Sequence, residues 1–557
     1  MRRMTLAVMV MTAVLLGATV AASAVTPGGD VQANSPQVAG DPTSDTTAVF
    51  PTNKQNEPTV AVNPVDSRFL IAGSNDEQRQ PPCGPGPVRG AAAQPNDCSF
   101  FPGVGTDGVY TSADRGQTWV NRGLLDDQAS WQGKGVISDG DPVIAFGPRP
   151  DAAGHFSYAN GVRAYYSSLA TIGSLKGQEH IIVSSSDDNG ATWSAPVMAA
   201  TKTSAADFND KSWVTVDDNA ASPYFGRVYL SWTEFRSKTA TGNGSEPVMV
   251  TSSADGGRSF AAPDQLSAAY NNRKRPGRQG SSVTTGPDGR VYVAFEQLDK
   301  QVVSISRDGG KSFGKLIIAG TVADIADPIP GANFRTDSFP TIGADPRAGS
   351  NTVYLAWANR TAAGGRIVVA RSIDGGATWA AAVTVSGAAQ GYAFFQGLDV
   401  APDGRVDVGF QGLTAIDPST FGGGNASIDS WATSMAAGGS WSAPVKVSTA
   451  SSDPAASAQN NLARQFWGDY NQVASTSAGA FFIFTDSRNG QPCSAVDGYQ
   501  VASVGSAQAA REDMDDLMAV RNGVNPSASD PVVKPAPGLV CPGQFGNTNI
   551  VVARWTP

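Results

Sequence analysis

The sequence predicts an all-β chain built as a ring of repeated four-stranded antiparallel units, a β-propeller. Three observations carry this prediction. An eight-residue phrase, Ser-x-Asp-x-Gly-x-(Thr/Ser)-(Trp/Phe), occurs five times, beginning at Ser112, Ser186, Ser253, Ser306 and Ser372. Each copy lies between two short runs rich in Val, Ile, Tyr and Trp and bounded by Gly, Asp, Asn and Pro. Similar runs fill most of the chain, and helical heptads are absent. A fixed phrase returning about every 50 to 75 residues marks a repeat architecture. Four strands per repeat, arranged radially, describe a propeller. The count is seven blades, with six as the alternative.

The phrase is a tight turn between two strands. Its acids are Asp114, Asp188, Asp255, Asp308 and Asp374. Such an Asp bonds backbone N–H groups a few residues on. The Gly supplies a backbone angle closed to other residues, and the aromatic pins the turn to its neighbours. The five acids are therefore expected to be structural. A sixth, damaged copy runs from Ser434 to Trp441, with Ala436 in place of the acid.

The chain opens on Arg2 and Arg3, an apolar run from Leu6 to Val20, and Ala22-Ser23-Ala24. This is the pattern of a secretory signal peptide cut after Ala24. The expectation is a secreted, extracellular chain with no membrane span. Residues 25–46 read as a flexible lead-in, and 47–557 as the propeller.

Its units then follow in order, each named here by its first two strands. They are Pro58–Val62 with Phe69–Gly73, Pro142–Phe146 with His155–Tyr158, and Trp213–Val216 with Arg227–Trp232. Next come Ser281–Thr285 with Arg290–Phe295, Pro340–Ala344 with Thr352–Trp357, and Gly397–Val400 with Arg405–Phe410. The seventh has Asn471–Ala474, Ala480–Phe484 and Asn549–Arg554, and lacks a fourth strand. Thr47–Phe50 is the expected donor of that strand. Residues 506–521 are the one convincing helix, within an insertion over 492–542.

Composition narrows the function. The 557 residues carry a net charge of −9, or about −11 without the two leading arginines. An acidic balance argues against a nucleic-acid partner. The four cysteines of an exported chain suggest disulfides. Cys83–Cys98 and Cys493–Cys541 are the favoured pairs, because each brackets a Pro/Gly-rich insertion. With two histidines in all, His155 and His180, neither a zinc site nor a Ser-His-Asp mechanism is expected.

The repeated phrase resembles the Asp-box, or BNR-repeat, propellers, whose best-known members are sialidases. The resemblance extends over roughly residues 50–557. It implies a glycoside hydrolase acting on terminal acidic sugars of glycoconjugates. Asp-box propellers also include non-catalytic carbohydrate- or protein-binding members, which is the alternative. The blade-opening phrases Asn56–Pro64 and Trp467–Tyr470 are similar to exported bacterial members. Sialidases grip a sugar carboxylate with three arginines and attack with a Tyr activated by a Glu. The first of those arginines has no counterpart here, because the corresponding place reads Gln55-Asn56-Glu57-Pro58.

Strand direction places the repeated turns on one face and the first-strand starts and second-strand ends on the other. That second face collects acids and arginines. Tyr470, Asp469, Glu234 and Glu296 are the catalytic candidates for nucleophile, base and acid. Arg335, Arg360 and Arg488 are the anion-binding candidates, with Asp141, Asp210, Asp337 and Glu57 beside them. No cofactor is expected, but carboxylates away from arginines could hold Ca²⁺. A monomer with a glycan ligand is expected.

Overall fold

The computed structural model describes residues 25–35, 50–81, 83–86, 94–98, 103–173, 179–201, 207–236, 245–268, 278–503 and 534–557. It is a propeller of seven antiparallel sheets, six of four strands and one of five. In blades 1 and 3 to 6 the first strand in sequence lies innermost and the later ones step outward; blade 2 adds the short preceding strand Val136–Ser138, and blade 7 has the earliest strand of the chain outermost. In blade 1 the strands are Gln55–Val62, Leu70–Asp76, Asp107–Ser112 and Val120–Leu124. The innermost strands of blades 2 to 7 are Val143–Pro150, Asp207–Val216, Arg278–Thr285, Thr341–Ala344, Tyr392–Val400 and Gln472–Thr476. Among the described residues, no helix is long and apolar enough to cross a membrane.

The ring closes with a strand that the sequence reading missed. Thr26–Gln32, expected as flexible lead-in, pairs antiparallel with Asn549–Thr556 and completes blade 7. Thr47–Val49 lie outside the described residues, and Phe50, fully buried, sits in a turn instead. The closing strand carries only one long aliphatic side chain, Val31, so its pattern is weak. Its pairing is fixed by polar contacts. The Asp30 carboxylate accepts from Arg488 Nη2 at 2.6 Å and from the Thr449 amide at 2.9 Å. Asn34 donates to Asn549 Oδ1 at 3.1 Å and accepts from the Ile550 amide at 2.9 Å.

The repeated turns behave as expected. In the first copy Thr118 N–H and hydroxyl both donate to Asp114, at 2.9 and 2.6 Å, and Gly116 N–H donates to Ser112 Oγ at 2.9 Å. The other four repeat this pattern. The turn glycines have φ between 70° and 83°. Each also meets the preceding blade. A Cβ at Gly257 would lie 3.1 Å from Tyr165, at Gly310 2.8 Å from Tyr229, and at Gly376 2.8 Å from Ile305. The turns therefore clamp each blade to the one before it. In the damaged copy Ser434 Oγ donates instead to Asp407 at 2.6 Å.

Cys83–Cys98 and Cys493–Cys541 are both bonded, as expected. Their insertions follow second strands, so both rise on the face opposite the repeated turns. There Cys98 and Cys493 share one small core with Phe50, Val496, Tyr499 and Phe545. A helix forms over Ser494–Ser503; the expected helix over 506–521 lies outside the described residues. One expected placement fails. The second strand of blade 2 runs over Phe156–Ile172, much longer than its sequence pattern suggested. The expected strand His155–Tyr158 is only its start, on the face opposite the site.

Several carboxyls are buried in this framework. Burial pushes Asp76 up to about 6 against the hydrogen bond from Tyr110, and Asp217 and Asp399 up to about 7. The turn acids go the other way: the Ser312 and Thr378 hydroxyls hold Asp308 and Asp374 at about 2.

Two outcomes follow. Asp30→Ala leaves Arg488 short of its partner at a side chain only 19% exposed, and should cost about 3 kcal/mol in urea unfolding. Unfolded Asp titrates near 3.9. The raised acids stabilise the fold fully below about pH 3.9, and that stabilisation is lost as pH rises through 6 to 7. The turn acids stabilise above about pH 3.9, and their contribution is lost as pH falls through about 2. Thermal unfolding should therefore peak between about pH 4 and 5, with Tm several degrees lower at pH 8.

Candidate functional site

The innermost strands begin with a shared irregularity. Their pairing slips by one residue between Asn56 and Thr59, Asp210 and Trp213, Gln279 and Ser282, and Phe394 and Gly397. Within the bulge one residue takes a left-handed backbone, Glu57 at φ 53°, Lys211 at 48°, Gly280 at 67° and Phe395 at 45°, and Asp141 does so at 55° just before the blade-2 strand. For non-glycine residues this costs on the order of 1 kcal/mol or more each, and it concentrates at functional sites. The gain is a redirected amide. Lys211 N–H donates to Asp141 Oδ2 at 2.8 Å and to Asp210 Oδ1 at 2.9 Å. Asp141 N–H donates to Asn75 Oδ1 at 2.9 Å.

Five of the sequence candidates meet at this axial mouth, from blades far apart in the chain: Glu57, Asp141, Asp210, Arg335 and Asp469. Arg335 forks onto Asp469 through Nε at 2.8 Å and Nη2 at 2.5 Å. Its Nη2 also lies 3.9 Å from Glu57 Oε1. Arg335 and Asp469 keep 22% and 24% of their side chains exposed, whereas Glu57 keeps 3%. Asn75 donates to Glu57 Oε2 at 2.6 Å, while Glu57 Oε1 accepts no hydrogen bond. Burial, and then the neighbouring Asp141, push both Glu57 and Asp210 well above the usual carboxylate range. The Asp141 carboxylate lies close enough to both to oppose their ionisation.

Lys211, not singled out as a catalytic or binding residue from sequence, stands at the centre. Its Nζ lies 4.4 Å from the Tyr470 ring centre, 5.0 Å from Trp213 and 5.3 Å from Phe339. Burial lowers its pKa, opposed by Asp141, Asp469, Glu57 and Asp210. Such an aromatic box is cation–π chemistry, and its members are scattered over residues 213 to 470, with no local signal.

Tyr470 joins the group, but not as an activated nucleophile. It is buried, and its hydroxyl donates to the Pro142 carbonyl at 3.4 Å. Burial, then Asp141 and Glu57, push its phenol well above the ordinary range. That direction opposes phenolate formation.

The three arginines expected to grip one anion each face a different acid. Arg335 holds Asp469. Arg488 holds Asp30 and Asp486 at the closing strand. Arg360 acts on Asp324. The separation arises because each was placed by its blade position, while the partner acids lie in connections and in the closing strand. Glu234 likewise pairs with Arg236, at 2.8 Å.

A second acidic group adjoins the mouth. Glu296 and Asp337 come together with Asp324, one carboxylate oxygen from each lying within 4.8 Å of the others. Asp324 was missed because it lies in the strandless connection 322–340, although its phrase Ala323-Asp324-Ile325-Ala326-Asp327 was visible. Burial raises Asp337 to about 7. Burial, then Asp337 and Asp324, raise Glu296 strongly.

Residues 161–393 match the family model of the BNR repeat-like domain. No curated protein matches the chain. Solved structures that resemble it include a protein of unknown function from Dyadobacter fermentans, at 12% identity and TM-score 0.38, covering 76% of this chain and 99% of that one. An α-L-arabinanase of Penicillium chrysogenum complexed with arabinobiose shows 13% identity and TM-score 0.42, over 73% of this chain and 98% of that one. The NanB sialidase from Streptococcus pneumoniae shows 12% identity and TM-score 0.37, over 75% and 80%. The chain is thus a seven-bladed β-propeller, of which residues 161–393 match the BNR repeat-like domain.

Proposed function

We propose that this chain is an exported glycoside hydrolase that uses two carboxyl groups at the axial mouth rather than a tyrosine nucleophile. One observation carries the reading: Asp210, whose pKa burial and Asp141 raise, shares the mouth with Asp469, which Arg335 holds in a two-pronged pair. Glycoside cleavage needs one carboxyl that carries a proton and a second that supports the forming positive charge. Asp210 is the proton donor to the leaving oxygen. Asp469 is the second carboxyl. Glu57 stands beside them, 3.9 Å from the Arg335 guanidinium.

The charge balance favours a neutral sugar. Four acids, Glu57, Asp141, Asp210 and Asp469, face two cations, Lys211 and Arg335, and the Arg335 fork is already occupied. A sugar carboxylate would have to compete with Asp469 for that guanidinium. The non-catalytic alternative, a glycan-binding propeller, uses the same mouth without turnover.

The test is hydrolysis of a panel of neutral aryl glycosides and an aryl sialoside. Asp210→Asn and Asp469→Asn should each lower kcat/KM by about 10³-fold or more, with Tm within a few degrees of wild type. Wild-type kcat/KM should fall as pH rises through the raised pKa of Asp210. Turnover of the sialoside alone would refute the preference for neutral sugars. Retention of glycan binding without turnover of any glycoside would establish the binding reading instead.

A further inference from the structure

We propose that Glu296, Asp324 and Asp337 form a Ca²⁺ site that fastens the connection 322–340 to blade 4. The proposal stands apart from the hydrolase reading and needs no substrate. Glu296 is delivered by the end of the blade-4 strand Val291–Gln297. Asp324 and Asp337 come from the two limbs of the connection. Those limbs are tied side by side: Ile325 N–H donates to Ser338 Oγ at 3.1 Å, and Thr336 Oγ1 donates to the Ala326 carbonyl at 2.8 Å. The Ala326 amide is in turn held by Tyr392 OH at 2.7 Å. The three acids are thus brought together by backbone that is already anchored.

Two buried oxygens at this place accept no hydrogen bond, and one of them belongs to Gln301, outside the acid cluster. Glu296 Oε2 is sealed from solvent and unpaired. Gln301, opposite Glu296 on the next strand, is fully buried. Its side chain touches the Glu296 carboxylate and donates to the Ser338 carbonyl at 2.8 Å, while its Oε1 accepts no hydrogen bond. The Asp324 carboxylate lies in hydrogen-bonding contact with Glu296 and has no proton to offer when ionised. Arg360 is near enough to act on Asp324, but among the described residues no Lys or Arg forms an ion pair with any of the three acids.

The donors are all oxygen, which selects a hard cation. Oxygens within 4.8 Å of one another are spanned by two Ca²⁺–O bonds of about 2.3–2.6 Å, and less readily by the about 2.1 Å bonds of Mg²⁺. The connection also carries Arg335, two residues before Asp337. Cation binding would therefore steady the guanidinium that reaches Asp469.

The experiment is calorimetric titration of the EDTA-stripped full chain with CaCl₂ at neutral pH, alongside thermal unfolding. One saturable site is expected, with Kd on the order of 10⁻⁴ M, a rise in Tm with Ca²⁺, and a weaker response to MgCl₂. Asp324→Asn and Asp337→Asn should each weaken Ca²⁺ binding at least about tenfold. Asp324 is exposed, so its variant tests the site without threatening the fold. Asp114→Asn, on the opposite face, should leave binding unchanged. Absence of saturable Ca²⁺ binding by wild type, or binding undiminished in both Asp324→Asn and Asp337→Asn, would overturn the proposal. Loss of glycoside turnover with Ca²⁺ binding intact would count against the hydrolase reading alone.

Discussion

The pairing of Thr26–Gln32 with Asn549–Thr556 is the contact on which the rest depends. A ring of blades that does not close leaves two exposed sheet edges and lets its first and last blades part. Closure is made between segments more than 500 residues apart, and a polar knot holds it, with Arg488 bridging Asp30 and Asp486. Only a closed ring brings blade 1, which carries Glu57, against the segment entering blade 7, which carries Asp469 and Tyr470. The mouth is thus a consequence of closure. Asp210, Asp141 and Arg335 reach it from blades 2 and 3 and from the connection entering blade 5.

Within that frame the two faces divide the acids by environment. On one face each turn Asp is saturated with N–H and hydroxyl donors and stays charged at low cost. On the other, bulged innermost strands crowd carboxyls around a narrow axis where water is scarce. Desolvation and mutual repulsion raise the pKa of Glu57 and Asp210, and the left-handed corners at Asp141 and Lys211 turn amides toward neighbouring side-chain oxygens. Two strongly raised acids on separate strands, with a buried lysine between them, form an arrangement that framework packing alone does not require.

The repeated turns were legible because their chemistry is local. Ser, Asp, Gly and Thr act on one another within eight residues, so the phrase predicts its own hydrogen bonds. Strand direction then separated the faces, and the acids at Glu57, Asp141, Asp210 and Asp469 could be assigned to one mouth. The arginines could not be read this way. Arg335 lies in the connection entering blade 5, Arg360 at the end of a second strand and Arg488 just beyond one, and a guanidinium goes to whichever carboxylate its surroundings leave unpaired. For Arg488 that is Asp30, in a segment whose composition suggested no structure. Tyr470 lies at the mouth, but its burial, which decides whether a phenol can ionise, depends on Trp213 and Lys211 from another blade.

What the sequence indicated by itself is the class of fold, the repeated blade pattern and the favoured disulfide pairs. These rest on short-range periodicity and on turns that close within a few residues. What the tertiary structure alone decided is which strand closes the ring, which acid each arginine holds, and which carboxyls keep their protons. Those outcomes depend on distances between blades and on exclusion of water from the axis. Neither quantity exists until the ring has closed.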